Sequence, residues 1–282
     1  MNNKKEKIKL YGFILLFSLI FCGCINICCI DQSQKFTKIV HMPAATLFPS
    51  SGFQTKTHNG SIEVTGDDVA DCNIIATITG HASTVQAAEE VVEMTKLSFE
   101  QSGEKLIFKI DKPDNLINRS VSVSLEIMLP YKVDLELESH NGRIEIENVS
   151  GNTNAVTHNG KVSVRKVSGV TRLETHNGAI EADEISGDIN FLSHNGKVEA
   201  DFADAAAPDS DITMITHNGG IDVTTPLEYS ARVDISTHNG SIDTELPVTV
   251  SGDLGRKHLT GIVRNGQGVL KLETHNGSIK LR

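Results

Sequence analysis

The chain has 282 residues, of which 39% are hydrophobic and 22% are charged, proportions that are normal for a globular protein with a buried core. Thirty-six acidic and 26 basic residues give a formal charge of −10, which argues against a surface that binds nucleic-acid phosphates. Aromatic residues make up only 5% of the chain and tryptophan is absent, so stacking platforms for bases or sugar rings are not expected either.

The N-terminal segment has the features of an export signal. Four lysines between Lys4 and Lys9 precede an apolar stretch at 10–22, which is too short to span a bilayer comfortably. The next residues, Phe-Cys-Gly-Cys at 21–24, resemble a bacterial lipobox, in which a cysteine acquires a lipid and becomes the mature N-terminus. We therefore expect a lipoprotein-type signal sequence at 1–23, a membrane-anchoring lipid on Cys24 and a tether at 24–35.

Residues 36–130 have an irregular strand pattern with one helix. Candidate strands lie at 37–42, 53–57, 61–66, 72–79, 104–110 and 119–129. A helix is predicted at 84–96, because Ser-Thr-Val-Gln at 83–86 matches a capping box. Its apolar face would consist of Val85, Ala88, Val91 and Val92. We expect this helix to pack on the sheet and to cap an open end of the repeats.

Residues 131–282 contain most copies of a repeated motif. His-Asn-Gly occurs eight times, always after threonine or serine, with its histidines at 58, 140, 158, 176, 194, 217, 238 and 275. The three steps from 140 to 194 are 18 residues each, and the later steps of 23, 21 and 37 residues fit the same unit with insertions. Gly151, Gly169 and Gly187 end Val-Ser-Gly or Ile-Ser-Gly motifs at the half-period. One unit is therefore two short strands and two turns.

Alternation within a unit predicts which side chains face the core. In the unit from Gly169 to Gly187 the predicted inward residues are Thr171, Leu173, Thr175, Ile180 and Ala182, with Ile185 at the corner. This mixture of small, hydroxylated and aliphatic residues suits a narrow interior. Asn and Gly adopt positive φ at low cost, so Asn-Gly indicates the other corner of each unit.

Two all-β architectures fit one domain at 36–282. In a parallel β-solenoid, or β-helix, each unit of about 18 residues is one coil and equivalent residues stack about 4.8 Å apart. The corner residues Asn141, Asn159, Asn177 and Asn195 would then form a buried amide ladder. In an antiparallel β-meander, Asn-Gly would be a hairpin turn, and equivalent turns would lie about twice as far apart. Ile185 breaks the parity that a clean hairpin at Ser-Gly requires, which favours the solenoid.

Several motifs together resemble a known family. They are the Asn-Gly repeats, the Val-Ser-Gly midpoint, the helix after Asn-Gly-Ser-Ile-Glu-Val-Thr-Gly at 59–66, and Leu-Glu-Thr-His-Asn-Gly-Ser-Ile at 272–279. Over about 36–282 the chain resembles the bacterial putative-adhesin family, β-strand-repeat proteins with an adhesin-like domain of unknown function. The resemblance implies an exported or membrane-anchored envelope protein with a β-helix-like fold and no enzymatic activity. This chain differs from the family pattern by placing histidine at the variable position of all eight repeat motifs.

The first functional hypothesis is a non-catalytic lipoprotein of the cell envelope, at the outer membrane, in the periplasm or on the cell surface. It would present a rigid β-repeat surface for adhesion, or for contact with an envelope protein or surface ligand. Neither a nucleic-acid partner nor a required cofactor is expected.

Two other hypotheses remain open. If His140, His158, His176 and His194 stack about 4.8 Å apart, they could form a metal or pH sensor with weak divalent-metal sites. Repulsion between imidazoliums would lower the pKa of these rings below about 6.5. A carbohydrate-active β-helix enzyme would need convergent carboxylates in a groove. Acids such as Glu145 and Glu174 instead alternate with inward residues, as on a solvated face.

Overall fold

Equivalent strands of successive repeats pair side by side, and the two strands of one repeat lie in different sheets. The computed structural model describes residues 34–43, 45–47, 51–114, 116–254 and 257–282, and in 251–254 only the backbone. These residues belong to one compact unit, Ser33–Arg282. The expected signal sequence, Cys24 and nearly all of the expected tether lie outside the described residues. Within the described part, no helix has both the length and the apolar character needed to cross a bilayer.

Short strands follow one another along most of the described chain. The first part contains β1 (Gln34–His41), β2 (Ala45–Thr46), β3 (Gly52–Asn59), β4 (Ile62–Asp67), β5 (Asp71–Ala82), α1 (Val85–Met94), β6 (Lys96–Ser102), β7 (Lys105–Asp111) and β8 (Ser120–Pro130). The regular repeats follow as β9 (Asp134–Asn141), β10 (Ile144–Ser150), β11 (Thr153–Asn159), β12 (Val162–Ser168), β13 (Thr171–Asn177), β14 (Ile180–Ile185), β15 (Ile189–Asn195) and β16 (Val198–Phe202). The last part contains β17 (Ile212–Asn218), β18 (Ile221–Thr224), β19 (Ala231–Asn239), β20 (Ile242–Thr244), β21 (Val248–Leu254), β22 (His258–Val263), β23 (Gly268–Asn276) and β24 (Ile279–Leu281).

The strands form an all-β fold of two twelve-stranded sheets. The order in the first sheet is β1-β5-β8-β4-β10-β12-β14-β16-β18-β24-β20, with β2 paired to β5. The order in the second sheet is β21-β22-β19-β23-β17-β15-β13-β11-β9-β3-β7-β6. We call the two strands that flank one His-Asn-Gly motif a rung. Every rung has its first strand in the second sheet and its second strand in the first sheet.

Neighbouring rungs are parallel and in register. Leu135 in β9 lies opposite Thr153 in β11, and Ile144 in β10 lies opposite Val162 in β12. Both offsets equal the 18-residue period of the sequence. Because β9 and β10 do not pair with each other, the Asn-Gly between them is not a hairpin turn. The antiparallel meander is therefore wrong for the repeats.

The spatial order of the rungs differs from their order in the chain. The final rung, β23 and β24, lies between the rung of β17–β18 and the rung of β19–β20. At the other end, β3 pairs in parallel with β9 although β4 to β8 and α1 separate them in the sequence. The spacing of the motifs along the chain predicted the rungs. It did not predict their spatial order, because that order depends on pairing between segments that are distant in the sequence.

The N-terminal part contains the predicted helix and strands, with differences at the boundaries. Thr84, and not Ser83, is the N-cap of α1: its hydroxyl accepts a hydrogen bond of 3.1 Å from the Ala87 amide. The helix packs against β1, β5 and β8. Ala88, Val91 and Val92 are buried as expected, whereas Val85, expected on the same face, is 45% exposed. The predicted end at 96 is wrong, because Thr95 is extended and Lys96 begins β6.

The interior between the sheets contains the residues that alternation predicted. Thr171, Leu173, Ile180 and Ala182 are all buried, and Phe191 of the next rung is fully buried. Ile185 is also buried, as the solenoid interpretation requires. Its change of parity comes from the preceding residue, Glu184, whose φ of 51° lies in the left-handed region.

The motif glycines are needed for a different reason from the one that the sequence suggested. Of the eight glycines that end a His-Asn-Gly motif, only Gly60 has a positive φ. At Gly178, an added Cβ would lie 2.0 Å from the carbonyl oxygen of Gly160 on the neighbouring rung. Close backbone approach between rungs, and not left-handed φ, therefore requires glycine at these corners.

We predict that Gly178→Ala lowers the free energy of unfolding by at least about 1–3 kcal/mol, because backbone on both rungs must move to make room. Gly220→Ala is the control, since its added Cβ would lie 3.1 Å from the Ser278 oxygen. Denaturant unfolding of both variants measures the difference. Equal stability losses would contradict a specific close approach at Gly178.

Candidate functional site

The motif histidines form one stack of exposed rings, which we call the His column. In spatial order it consists of His58, His140, His158, His176, His194, His217, His275 and His238. Neighbouring ring centroids are 4.6–5.0 Å apart, and neighbouring ring planes lie within 18° of parallel. All eight side chains are solvent-exposed. The spacing equals the distance between paired strands, so the in-register sheet itself sets it.

The four histidines that the sequence singled out occupy consecutive places in the column. The ring centroids of His140 and His158 are 4.9 Å apart, those of His158 and His176 are 4.8 Å apart, and those of His176 and His194 are 4.7 Å apart. The other four histidines extend the same stack at both ends. His58 and His275 could not be placed by counting along the chain, because long segments separate them from their neighbours in the column.

The ring nitrogens of the His column have no hydrogen-bond partner in the described part of the chain. By contrast, His258 lies outside the column and its ring nitrogen is 3.2 Å from an Asp234 carboxylate oxygen. Partial burial lowers the pKa of His58 from its ordinary value, and the charges of Lys112, His140 and Lys56 lower it further.

The asparagines form an amide ladder beside the His column. Asn159 donates a hydrogen bond from Nδ2 to Oδ1 of Asn141 (2.7 Å), and Asn177 and Asn195 each donate to the preceding rung (2.8 Å). Equivalent bonds link the remaining rungs at 2.7–2.9 Å. The ladder is not buried, however: Asn141, Asn159, Asn177 and Asn195 are all exposed. The corner turns these amides toward solvent, where water competes for the same bonds.

A row of buried hydroxyls lies behind the ladder, and the sequence did not assign it a role. Thr157 donates to the carbonyl oxygen of Gly142 (2.9 Å), Thr175 to that of Gly160 (2.9 Å), and Ser193 to that of Gly178 (3.0 Å). The signal was present, because every motif histidine follows threonine or serine. Each of these three hydroxyls satisfies a corner carbonyl of the preceding rung, which makes this row part of the corner's structure.

A groove of about 580 Å³ runs along part of the His column. Five column histidines line it, His176, His194, His217, His238 and His275. Glu174 and Glu273 contribute carboxylates to its wall, and Leu192 and Ile215 contribute apolar surface. The groove is therefore polar, partly acidic and bordered by imidazoles.

Three acidic residues lie in ion pairs on the outer face of the first sheet, whereas Glu174 belongs to β13 of the second sheet and lines the groove. Glu147 lies 2.8 Å from Arg165, Glu145 lies 3.5 Å from Arg143, and Glu181 pairs with Lys161. Exposed pairs of this kind contribute little to stability but neutralise the carboxylates locally. Among the described residues, no group of three or more His, Cys, Asp or Glu side chains could hold a metal ion.

We predict that the buried hydroxyl matters more for stability than the exposed amide or the histidine. Thr175→Val should cost about 1–2 kcal/mol, because it leaves the Gly160 carbonyl without its partner. Asn177→Ala breaks two ladder bonds, but water can replace both, so it should cost about 1 kcal/mol or less. His176→Ala should cost far less than Thr175→Val. Chemical denaturation ranks the three, and a larger loss for Asn177→Ala would contradict this assignment.

The comparisons with known proteins return structural similarity only. No protein-family model and no curated protein matches this sequence. A solved structure described as a putative cell adhesion protein from Clostridium sporogenes ATCC 15579 is 13% identical, with a TM-score of 0.37 over 89% of this chain and 99% of that chain. A putative adhesin from Bacteroides fragilis NCTC 9343 is 11% identical, with a TM-score of 0.42 over 87% of this chain and 97% of that one. A putative lipid binding protein from Parabacteroides distasonis ATCC 8503 is 10% identical, with a TM-score of 0.34 over 87% and 96% of the two chains. The adhesin names of two of these structures agree with the family resemblance of the repeats. At these TM-scores and sequence identities, the similarity establishes no function for this chain.

Proposed function

We propose that this protein is a non-catalytic, exported lipoprotein of the cell envelope whose repeats present a rigid surface for adhesion or for contact with an envelope partner. In this proposal the eight rungs form a parallel β-solenoid anchored to a membrane by a lipid on Cys24. The observation that carries it is the in-register stacking of the rungs, which converts one sequence motif into continuous rows of like side chains.

The stacking supports a stiff surface for a physical reason. Each corner is tied to the next by a backbone bond, a buried hydroxyl bond and an exposed amide bond; between the rungs of Asn159 and Asn177 these measure 3.2, 2.9 and 2.8 Å. Bending the corner would strain all three bonds at once. An extended partner could therefore meet several identical contacts at a fixed spacing, which favours multivalent binding.

Two further features support a binding role over a catalytic one. The carboxylates of Glu145, Glu147 and Glu181 are paired with Arg143, Arg165 and Lys161, respectively. Glu174 and Glu273 line the groove, but they lie three strand spacings apart, about 14 Å, which is farther than the carboxylate pair of a glycoside-cleaving enzyme. The groove beside the His column is an open surface feature along the rungs, which suits an extended ligand better than a single enclosed reaction centre.

We predict that Cys24→Ala releases the protein from the membrane fraction or leaves an uncleaved precursor, because the variant lacks the thiol that would carry the lipid. Cys28→Ala is the matched control, since it removes a nearby thiol and keeps the lipobox-like sequence. Fractionation and intact-mass measurement of both variants test the anchor. Unchanged partition and mass for Cys24→Ala would refute it.

The surface role is tested separately on cells. Cells that lack the protein should bind less to their native substratum or envelope partner, and the wild-type gene should restore the binding. A variant carrying reversed charges at Arg143, Lys161 and Arg165 keeps the core and changes only the outer face of the first sheet. If cells bind equally well with and without the gene, the proposed surface role is contradicted even if the lipid anchor is correct.

A further inference from the structure

We propose that the His column binds divalent transition-metal ions, with each ion held by the ring nitrogens of two histidines on adjacent rungs. Metal binding by the His column is a separate proposal from adhesion and does not depend on it. Imidazole nitrogen is a good ligand for Zn²⁺, Cu²⁺ and Ni²⁺, and affinity at a given site rises toward Cu²⁺. Eight rings in one line make at most four independent pairs.

The distances allow such pairs after a small movement. Zinc lies about 2.0–2.1 Å from a ligating nitrogen, so two nitrogens on one tetrahedral ion are about 3.3 Å apart. Neighbouring rings in the column are separated by 4.6–5.0 Å and are nearly parallel, so their lone pairs do not converge as they stand. The two ligating nitrogens must therefore come closer together by about 1.5 Å, which a tilt of both rings toward each other supplies. Water completes the coordination of the ion.

The exposure of the column side chains favours that tilt. The column side chains are exposed, and their ring nitrogens form no hydrogen bond with described residues. The strand spacing fixes only the backbone separation, which leaves rotation about the side-chain bonds free.

The surroundings favour cations. Glu174 and Glu273 line the groove beside five of the column histidines. The whole chain has a formal charge of −10, which raises the local concentration of cations near its surface. Cys72 does not compete for the metal, because it is buried and burial raises the pKa of its thiol to about 12.

Two variants with the same number of histidines separate paired sites from single rings. The alternating variant replaces every second ring of the column by glutamine, so that no two remaining histidines are neighbours: His140, His176, His217 and His238. The contiguous variant replaces one half of the column and leaves the other four rings adjacent: the residues replaced are His58, His140, His158 and His176. Both keep every cysteine, so any metal bound by cysteine is common to both.

The measurement is calorimetric titration of the purified full-length chain with Zn²⁺ alone, repeated with Cu²⁺. The contiguous variant should bind with nearly the affinity of the wild type at about half the number of sites. The alternating variant should bind at least about tenfold more weakly, because no second ring is held next to the first. Cu²⁺ should bind more tightly than Zn²⁺ in each chain that retains pairs.

Controls keep the comparison decisive. His41→Gln removes a histidine outside the column and should leave the titration unchanged. Circular dichroism checks that each variant is folded, and asparagine replaces glutamine in both designs if either one is not. Equal affinities for the alternating and contiguous variants, or a wild type that binds no more Zn²⁺ than the alternating variant, would overturn the proposal.

Discussion

The parallel, in-register pairing of rungs is the constraint on which the rest of this structure depends. Once Leu135 lies opposite Thr153 and Ile144 lies opposite Val162, every position of the repeat becomes a row at strand spacing. The inward rows fill the space between the two sheets with aliphatic side chains and small hydroxylated ones. The outward rows expose like groups at equal intervals, including the His column and the amide ladder.

The corner at His-Asn-Gly shows how closely the rungs must approach. Glycine has no Cβ to meet the neighbouring carbonyl, and the asparagine adds a bond at the surface. The hydroxyl before seven of the eight histidines satisfies a corner carbonyl of the adjacent rung. Three residue types thus stabilise one turn by three different means. The histidine takes no part in these bonds, so its presence at all eight corners is not required by the fold.

At the opposite corner of each rung, the alternation of inward and outward side chains is interrupted. A strict alternation would expose Val149, Val167 and Ile185, yet all three are buried. Asn148, Lys166 and Glu184 precede them with φ between 51° and 59°, which places two outward residues in succession and then returns the chain to the core. None of these three is glycine, so the burial of the next aliphatic residue must offset the cost of the left-handed conformation.

The sequence by itself determined the 18-residue period, the inward residues, the position of Ile185 and the helix, because these follow from local periodicity and turn chemistry. Only the tertiary structure decided which rungs are neighbours. Strand pairing between distant segments places His275 between His217 and His238, and joins His58 to His140. It also decided that the asparagine ladder is exposed and that the glycines are needed for close approach. Those properties depend on the backbone of the adjacent rung, which no pattern within one rung contains.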